Sequence, residues 1–155
     1  MKIAVISFTK AGSDVCRRLT GEFLRRGEEC RGYVPEKYRE EGENLNFIFP
    51  VTDSVGRWTQ KQFGQADGLI YIGAAGIAVR AIAPYLKDKM TDPAVVVIDD
   101  QSRYAVSLLS GHVGGANALA EEAAQILGAV PVITTASDVR GLTAVDVWAR
   151  RRGLL

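Results

Sequence analysis

Short apolar runs separated by helix-length stretches recur along this chain, and that alternation limits its fold more than any other feature. Ile3-Ala4-Val5-Ile6 is too brief for a helix and is bounded by polar residues, which predicts a buried strand. Val15, Leu19 and Phe23 follow at a spacing of four behind Ser13 and Asp14, read as helix-start residues, and Gly27 stands where a helix-ending glycine belongs. Residues 30–34 and 46–49 predict two further strands. The charged stretch from Pro35 to Asn46 reads as a solvated loop. Asp53 or Ser54 can cap a helix that turns Trp58 and Phe63 inward and stops near Gly64.

The second half is more strongly patterned. Residues 69–72 predict a strand that runs into Gly73-Ala74-Ala75-Gly76 and a short helix disturbed or ended by Pro84. Residues 94–98 are mostly β-branched, the mark of a central strand. Residues 104–108 predict its hairpin partner, joined through the polar turn Asp99-Asp100-Gln101-Ser102. Gly114-Gly115 opens a helix with Leu119, Ala123, Ile126 and Leu127 on one face and Gly128 at its end. Residues 130–133 predict a last strand, and residues 145–152 the start of a basic helix. Strands alternating with helices of this length imply parallel βαβ units. The expected fold is α/β, a three-layer, doubly wound and mainly parallel sheet of flavodoxin or Rossmann type. Residues 1–143 form its single domain, and residues 144–155 are read as the start of a following segment, cut short.

Composition narrows the function. A chain of 155 residues and 16.8 kDa is one domain's worth. Nineteen basic against eighteen acidic residues, a formal charge of +1, offers no field for nucleic acid or an anionic membrane. Cys16 and Cys30 lack CxxC spacing, so they read as small apolar residues in a reducing cytosol rather than metal ligands or a disulfide. The first residues turn polar at Thr9-Lys10, too soon for a secretory segment. The nearly apolar run from Leu69 to Val79 is about half a membrane span. The expectation is a cytoplasmic domain with no bound metal.

Ligands of open α/β sheets sit beyond the carboxyl ends of the strands, so the loops after strands carry the candidates. Ser7 to Ser13 combines hydroxyls, Lys10 and a helix start, which suits an anion or simply a cap, and it is neither a Walker loop nor GxGxxG. Gly73 and Gly76 allow close approach to backbone N–H groups, with Arg80 one turn on to grip a carboxylate; strand–helix packing is the plainer account of the glycines. Ser110-Gly111-His112-Val113-Gly114-Gly115-Ala116-Asn117 holds the sole histidine, whose usual pKa of about 6.5 suits proton transfer near neutrality. Asn117 there can orient an amide or carboxylate, or the whole loop can serve only its own packing. Thr134, Thr135, Ser137 and Asp138 can bind a polar ligand or cap a helix.

These segments, in this order, resemble the N-terminal domain of the CbiG family of cobalamin-biosynthesis proteins. The resemblance is carried by Gly73-Ala74-Ala75-Gly76 with Arg80 and Pro84, by Lys87-Asp88-Lys89, and by Asp92-Pro93 before the valines. Leu108-Leu109-Ser110-Gly111-His112-Val113-Gly114-Gly115-Ala116-Asn117 and Pro131 to Asp138 continue it, so that it spans about residues 73–148. It implies a cobalt-precorrin-5A hydrolase, which opens the ring-A lactone of a cobalt-corrinoid tetrapyrrole and releases acetaldehyde. The cobalt belongs to the substrate, and no separate cofactor is implied. In that frame His112 is the general base, or instead a ligand to the substrate's cobalt. Gly73, Gly76, Arg80, Ser110, Gly111, Gly114, Gly115, Asn117, Thr134, Thr135, Asp138 and Lys10 are the substrate-binding candidates. Chains of the family run to about twice this length, so a C-terminal CbiG region, or a separately encoded equivalent, is an expected partner. A homodimer is kept open.

Three readings follow: a lactone-opening hydrolase centred on His112, a non-catalytic module holding a carboxylated tetrapyrrole, and a flavodoxin-like nucleotide domain using the Ser7–Ser13 loop. The third lacks a full phosphate loop.

Overall fold

The computed structural model describes residues 1–136 and 151–153. Among them, seven strands form one sheet: β1 (Lys2–Ser7), β2 (Glu29–Pro35), β3 (Ile48–Val51), β4 (Gly68–Ile72), β5 (Ala94–Ile98), β6 (Tyr104–Leu109) and β7 (Val130–Val132). The helices are α1 (Lys10–Arg25), α2 (Val55–Phe63), α3 (Ala75–Ile82) and α4 (Ala116–Leu127). The strand order is β3-β2-β1-β4-β5-β6-β7, with β1 to β5 mutually parallel. The predicted three-layer α/β fold is present, and the 3-2-1-4-5 order of its parallel strands is that of the Rossmann sheet short of its sixth parallel strand.

Burial on both faces explains the near-continuous apolar strands. In β4 and β5 every residue is buried. Ile70, Ile72, Val96 and Ile98 pack on one face with Leu19 and Phe23 of α1 and Leu119 and Ala123 of α4. Leu69, Tyr71, Val95 and Val97 pack on the other with Trp58 of α2 and Ala78 and Ile82 of α3. None of the described helices is long and apolar enough to cross a membrane.

Two local expectations are corrected. Helix α1 starts at Lys10, ahead of Ser13 and Asp14, because the Thr9 hydroxyl caps it by accepting from the Gly12 N–H at 2.9 Å. Ser13 is instead buried in the first turn and donates to the Thr9 carbonyl at 2.8 Å. The helix does end as read: Gly27 lies at φ 85°, and N–H groups of Gly27 and Glu28 close on the carbonyls of Leu24 and Phe23. The predicted basic helix at residues 145–152 falls almost wholly outside the described residues.

The charged stretch after β2 is not simply solvated. It begins with a 3-10 turn, Glu36–Tyr38, and is then clamped by Arg17 of α1, which donates to Glu43 and to the Tyr38 carbonyl. The Glu43 side chain is only 6% exposed. Burial opposes its charge, but the hydrogen bond and charge of Arg17 outweigh burial and hold the carboxyl below the usual glutamate range. A carboxyl lowered on folding stabilises the native state above its unfolded value of about 4.3, and that contribution is lost as pH falls through the folded value. Glu43→Gln is therefore expected to cost about 1–2 kcal/mol in urea unfolding at neutral pH. The gap from wild type should close on acidification; a gap independent of pH would refute the clamp.

Candidate functional site

The chain climbs β1, β2 and β3 outward in one direction and returns to build β4 and β5 on the other side of β1. The switch point is the crevice beyond the carboxyl ends of β1 and β4, where ligands of such sheets bind. Phe8 to Lys10 follow β1 at that end and Gly73 to Gly76 follow β4. The second is stitched to β5, since the Gly73 N–H donates to the Ile98 carbonyl at 2.8 Å.

On the α3 wall, the residue before the helix is Ala74, which supplies no side-chain cap. The first N–H groups of α3 therefore lack the side-chain acceptor that most helices provide. Ala74, Ala75 and Gly76 are exposed. A Cβ on Gly76 would meet only the Arg80 guanidinium, 3.7 Å away, so Arg80 folds back over this first turn. Arg80 and Lys10 are both exposed, and neither has an ion pair among the described residues. Two exposed cations, neither in an ion pair among the described residues, and a helix end without a side-chain cap thus lie in the segments that follow β1 and β4. Gly73 serves packing as well: a Cβ there would lie 3.0 Å from the Phe8 ring.

The α1 wall is arranged differently. The Thr9 hydroxyl that caps α1 donates its own proton to the Asp100 carboxylate, 3.0 Å away. Asp99, its neighbour, accepts from the Arg103 and Tyr104 N–H groups and from the Arg103 guanidinium, closing the β5–β6 turn. Burial works against the Asp99 charge, but these bonds prevail and hold its carboxyl below the usual range.

The histidine loop is elsewhere. Strand β6 runs antiparallel to β5, with Leu109 beside Val95 and Ala105 beside Ile98. The loop after β6 therefore emerges at the amino ends of the parallel strands, about 15 Å from the crevice for strands of this length. A Cβ on Gly115 would touch Met1, which confirms the placement. Strand β7 runs parallel to β6 and carries Thr134 and Thr135 to the same end.

Here the side chains mostly serve the fold. Asn117 is 9% exposed; its carbonyl oxygen accepts from the Ser107 hydroxyl at 2.6 Å and its amino group donates to Thr135 Oγ1 at 3.0 Å. It ties β6, α4 and the end of β7 together. Gly111 and Gly114 are required by the loop itself, since added Cβ atoms would lie 2.8 Å from Asn117 Oδ1 and 2.3 Å from Ser110 Cβ. Gly115 opens α4 at φ 85°. Ser110 adopts φ 59° and buries a hydroxyl that has no hydrogen-bond partner among the described residues. His112 is half-buried and its ring makes no hydrogen bond with a described residue. A groove of about 480 Å³ adjoins this end, but its cations are already engaged: Arg152 pairs with Glu28 and Glu122, and the amino terminus with Glu28 at 2.8 Å.

The thirteen residues singled out from sequence thus separate into two groups. Lys10, Gly73, Gly76 and Arg80 lie beyond the carboxyl ends of β1 and β4. His112, Ser110, Gly111, Gly114, Gly115, Asn117, Thr134 and Thr135 lie at the opposite end. Asp138 lies outside the described residues. Thr9 and Asp100 were missed as a pair; ninety-one positions of sequence separate them, and nothing local links a cap to a turn so remote.

Comparison with known proteins agrees with this architecture. The profile of the family described as Cobalamin synthesis G N-terminal matches residues 57–138, more than half of the chain. The chain is 43% identical over 147 residues to a cobalt-precorrin-5A hydrolase of Salmonella typhimurium, covering 95% of this chain and 39% of that one. It is 44% identical over 150 residues to a cobalt-precorrin-5A hydrolase of Priestia megaterium, covering 97% and 39%. A crystal structure of a cobalamin biosynthesis protein G homolog from Sulfolobus solfataricus superposes with a TM-score of 0.65 at 27% identity, covering 90% of this chain and 38% of that one. The chain spans about two-fifths of the length of these relatives. On profile, identity and fold together, it belongs to the cobalamin synthesis G N-terminal family.

Proposed function

We propose that this chain acts in cobalamin biosynthesis as the N-terminal domain of a cobalt-precorrin-5A hydrolase, and that it holds the carboxylate-rimmed substrate at the switch-point crevice. The observation that carries this reading is the uncapped amino terminus of α3 with Arg80, which has no ion pair among the described residues, folded over it, and with Lys10 exposed at the start of α1. Guanidinium and backbone N–H groups together grip a carboxylate bidentately, and an ammonium adds a point charge. The substrate carries its own cobalt.

The reaction has two parts. Water adds to the lactone carbonyl and the acyl–oxygen bond breaks, leaving a carboxylate and a free hydroxyl. That hydroxyl then loses its proton as the adjacent carbon–carbon bond breaks, so its carbon departs as acetaldehyde and the bonding pair passes into the macrocycle, which takes up a proton. A base for either step must lie within about 3 Å of the proton it takes, or one water away. His112 cannot meet that condition for a lactone held beside Arg80, given the height of the sheet.

A second reading keeps His112 as base or cobalt ligand, with the substrate at the opposite end. It is favoured by one observation, the unpartnered Ser110 hydroxyl in a strained turn beside a half-exposed imidazole. Absorbance titration with cobalt-precorrin-5A and a coupled acetaldehyde assay separate the two. Arg80→Ala is expected to weaken binding about tenfold to a hundredfold, as loss of a charge-assisted bond does. His112→Ala should leave that affinity unchanged. The converse pattern, with His112→Ala alone lowering binding or acetaldehyde release, would replace the first reading with the second.

A further inference from the structure

We propose that the exposed outer side of α3 and the turn after it form a further contact surface for the substrate. Val79, Leu86 and Met90 lie against the apolar macrocycle, and Lys87 and Lys89 take carboxylates that Arg80 does not reach. This deepens the reading that the chain holds a carboxylate-rimmed tetrapyrrole, and rests on it.

A helix on the outside of an α/β sheet turns an apolar side to the core and a polar side to water. Helix α3 does not. Ala78, Ala81 and Ile82 are buried, yet Val79 on the outer side is 48% exposed, and Arg80 is the only polar side chain in the helix. A helix that is apolar on both sides belongs to an element that something else covers. The apolar surface continues past the helix. A 3-10 turn, Ala83–Tyr85, follows without a break and is held to α2 by the Tyr85 ring, 5.9 Å from that of Phe63. Leu86 comes next at 42% exposed, seven residues after Val79 and so about two helical turns along the same side. Met90 is 58% exposed, the most exposed of the large apolar residues described.

The charges around this surface are cations. Residues 86–92 fold into a turn whose two acids are spent on its own backbone. Asp92 accepts the Lys87 N–H through both carboxylate oxygens, at 3.2 and 3.1 Å, and Asp88 Oδ1 accepts the Met90 N–H at 2.8 Å. The Asp88 carbonyl accepts the N–H groups of Thr91 and Asp92 at 3.0 and 2.8 Å. These bonds fix the turn and leave the side chains of Lys87, Lys89 and Met90 exposed. Arg80, Lys87 and Lys89 have no ion pair among the described residues. Exposed apolar atoms beside uncompensated cations suit a ligand that is apolar in its body and anionic at its rim. A thioether such as that of Met90 is polarisable and packs well against a π system. From Arg80 to Lys87 the chain advances about 10 Å along the helix. Arg80 folds back toward the first turn, which widens that gap. One carboxylate does not meet both cations, whereas a macrocycle with acids spaced around its rim does.

The test is absorbance titration of the 155-residue chain with cobalt-precorrin-5A. The substitutions fall on exposed side chains, so the fold is expected to hold. Lys87→Gln combined with Lys89→Gln should weaken binding about tenfold, and the difference from wild type should shrink as salt is raised. Met90→Ser should weaken it about threefold, with little dependence on salt. Lys37→Gln, which removes an exposed cation elsewhere, should change nothing. Wild-type affinity in the double lysine variant, with Arg80→Ala still weakened, would overturn this surface and leave the crevice reading standing. The reverse pattern would uphold the surface and count against the crevice. No binding by wild type, or an equal loss in Lys37→Gln, would overturn the proposal too. So would a wild-type dimer in sedimentation that Val79→Asp dissociates, since the surface would then belong to a second copy of the chain.

Discussion

Gly114→Ala is expected to destabilise the chain by about 3 kcal/mol, the upper range for overpacking a buried site. The added methyl would stand 2.3 Å from Ser110 Cβ and 2.7 Å from the Ser110 carbonyl oxygen. Neither atom is free to retreat. The carbonyl accepts the Ala116 N–H that begins α4, and the Cβ is fixed by a backbone already at φ 59°. Relief means opening the loop, which breaks the Ala116 bond and the adjoining Asn117 N–H to Gly111 carbonyl bond together. Urea unfolding should show a lower midpoint with an unchanged slope. Ser110→Gly makes the informative contrast: it removes both the left-handed strain and the orphaned hydroxyl, and should be neutral or stabilising by about 1 kcal/mol. A Gly114→Ala chain that loses less than about 1 kcal/mol would mean that the turn does not have this packing.

Phe23→Ala should cost more, about 4 kcal/mol. Phe23 is fully buried in the last turn of α1, within the apolar cluster that joins α1 to α4 over β1, β4 and β5. Its backbone carbonyl also closes the helix by accepting from Glu28, so that turn cannot shift to fill the cavity without losing its cap. For a chain of this size the expected fall in Tm is about 8–16 °C. A loss below about 2 kcal/mol would show that α4 and the sheet collapse around the void. The alanine should leave the crevice untouched, because Phe23 lies on the helix end remote from Thr9.

Most of the fold was legible from residues read a few at a time. The apolar alternation, the glycines after α1 and α4, the Ser54 cap of α2 and the Asp99–Ser102 hairpin turn all depend on contacts within about one helical turn, which periodicity and capping chemistry report directly. Misreadings occurred where two local solutions competed. Ser13 resembles a cap, but Thr9 lies closer to the end of β1 and reaches the Gly12 N–H first. The stretch after β2 resembles open loop because its glutamates are charged, and only the approach of Arg17 from α1 makes one of them a buried partner.

By itself the sequence determined the layered α/β class, the parallel βαβ units, the resemblance to its family and the residue types available for a carboxylated ligand. Only the tertiary structure decided which of those residues meet. The hairpin between β5 and β6 was visible in the sequence, but its consequence is not local: reversing one strand carries His112, Asn117 and Thr135 to the amino ends of the sheet, while Lys10 and Arg80 remain at the carboxyl ends. The same assembly brings Asp100 onto Thr9, and gives Asn117 to the fold. Proximity between distant segments follows from strand order and direction. Those are set by the burial of two apolar faces at once, a sum over the whole chain that no single motif contains.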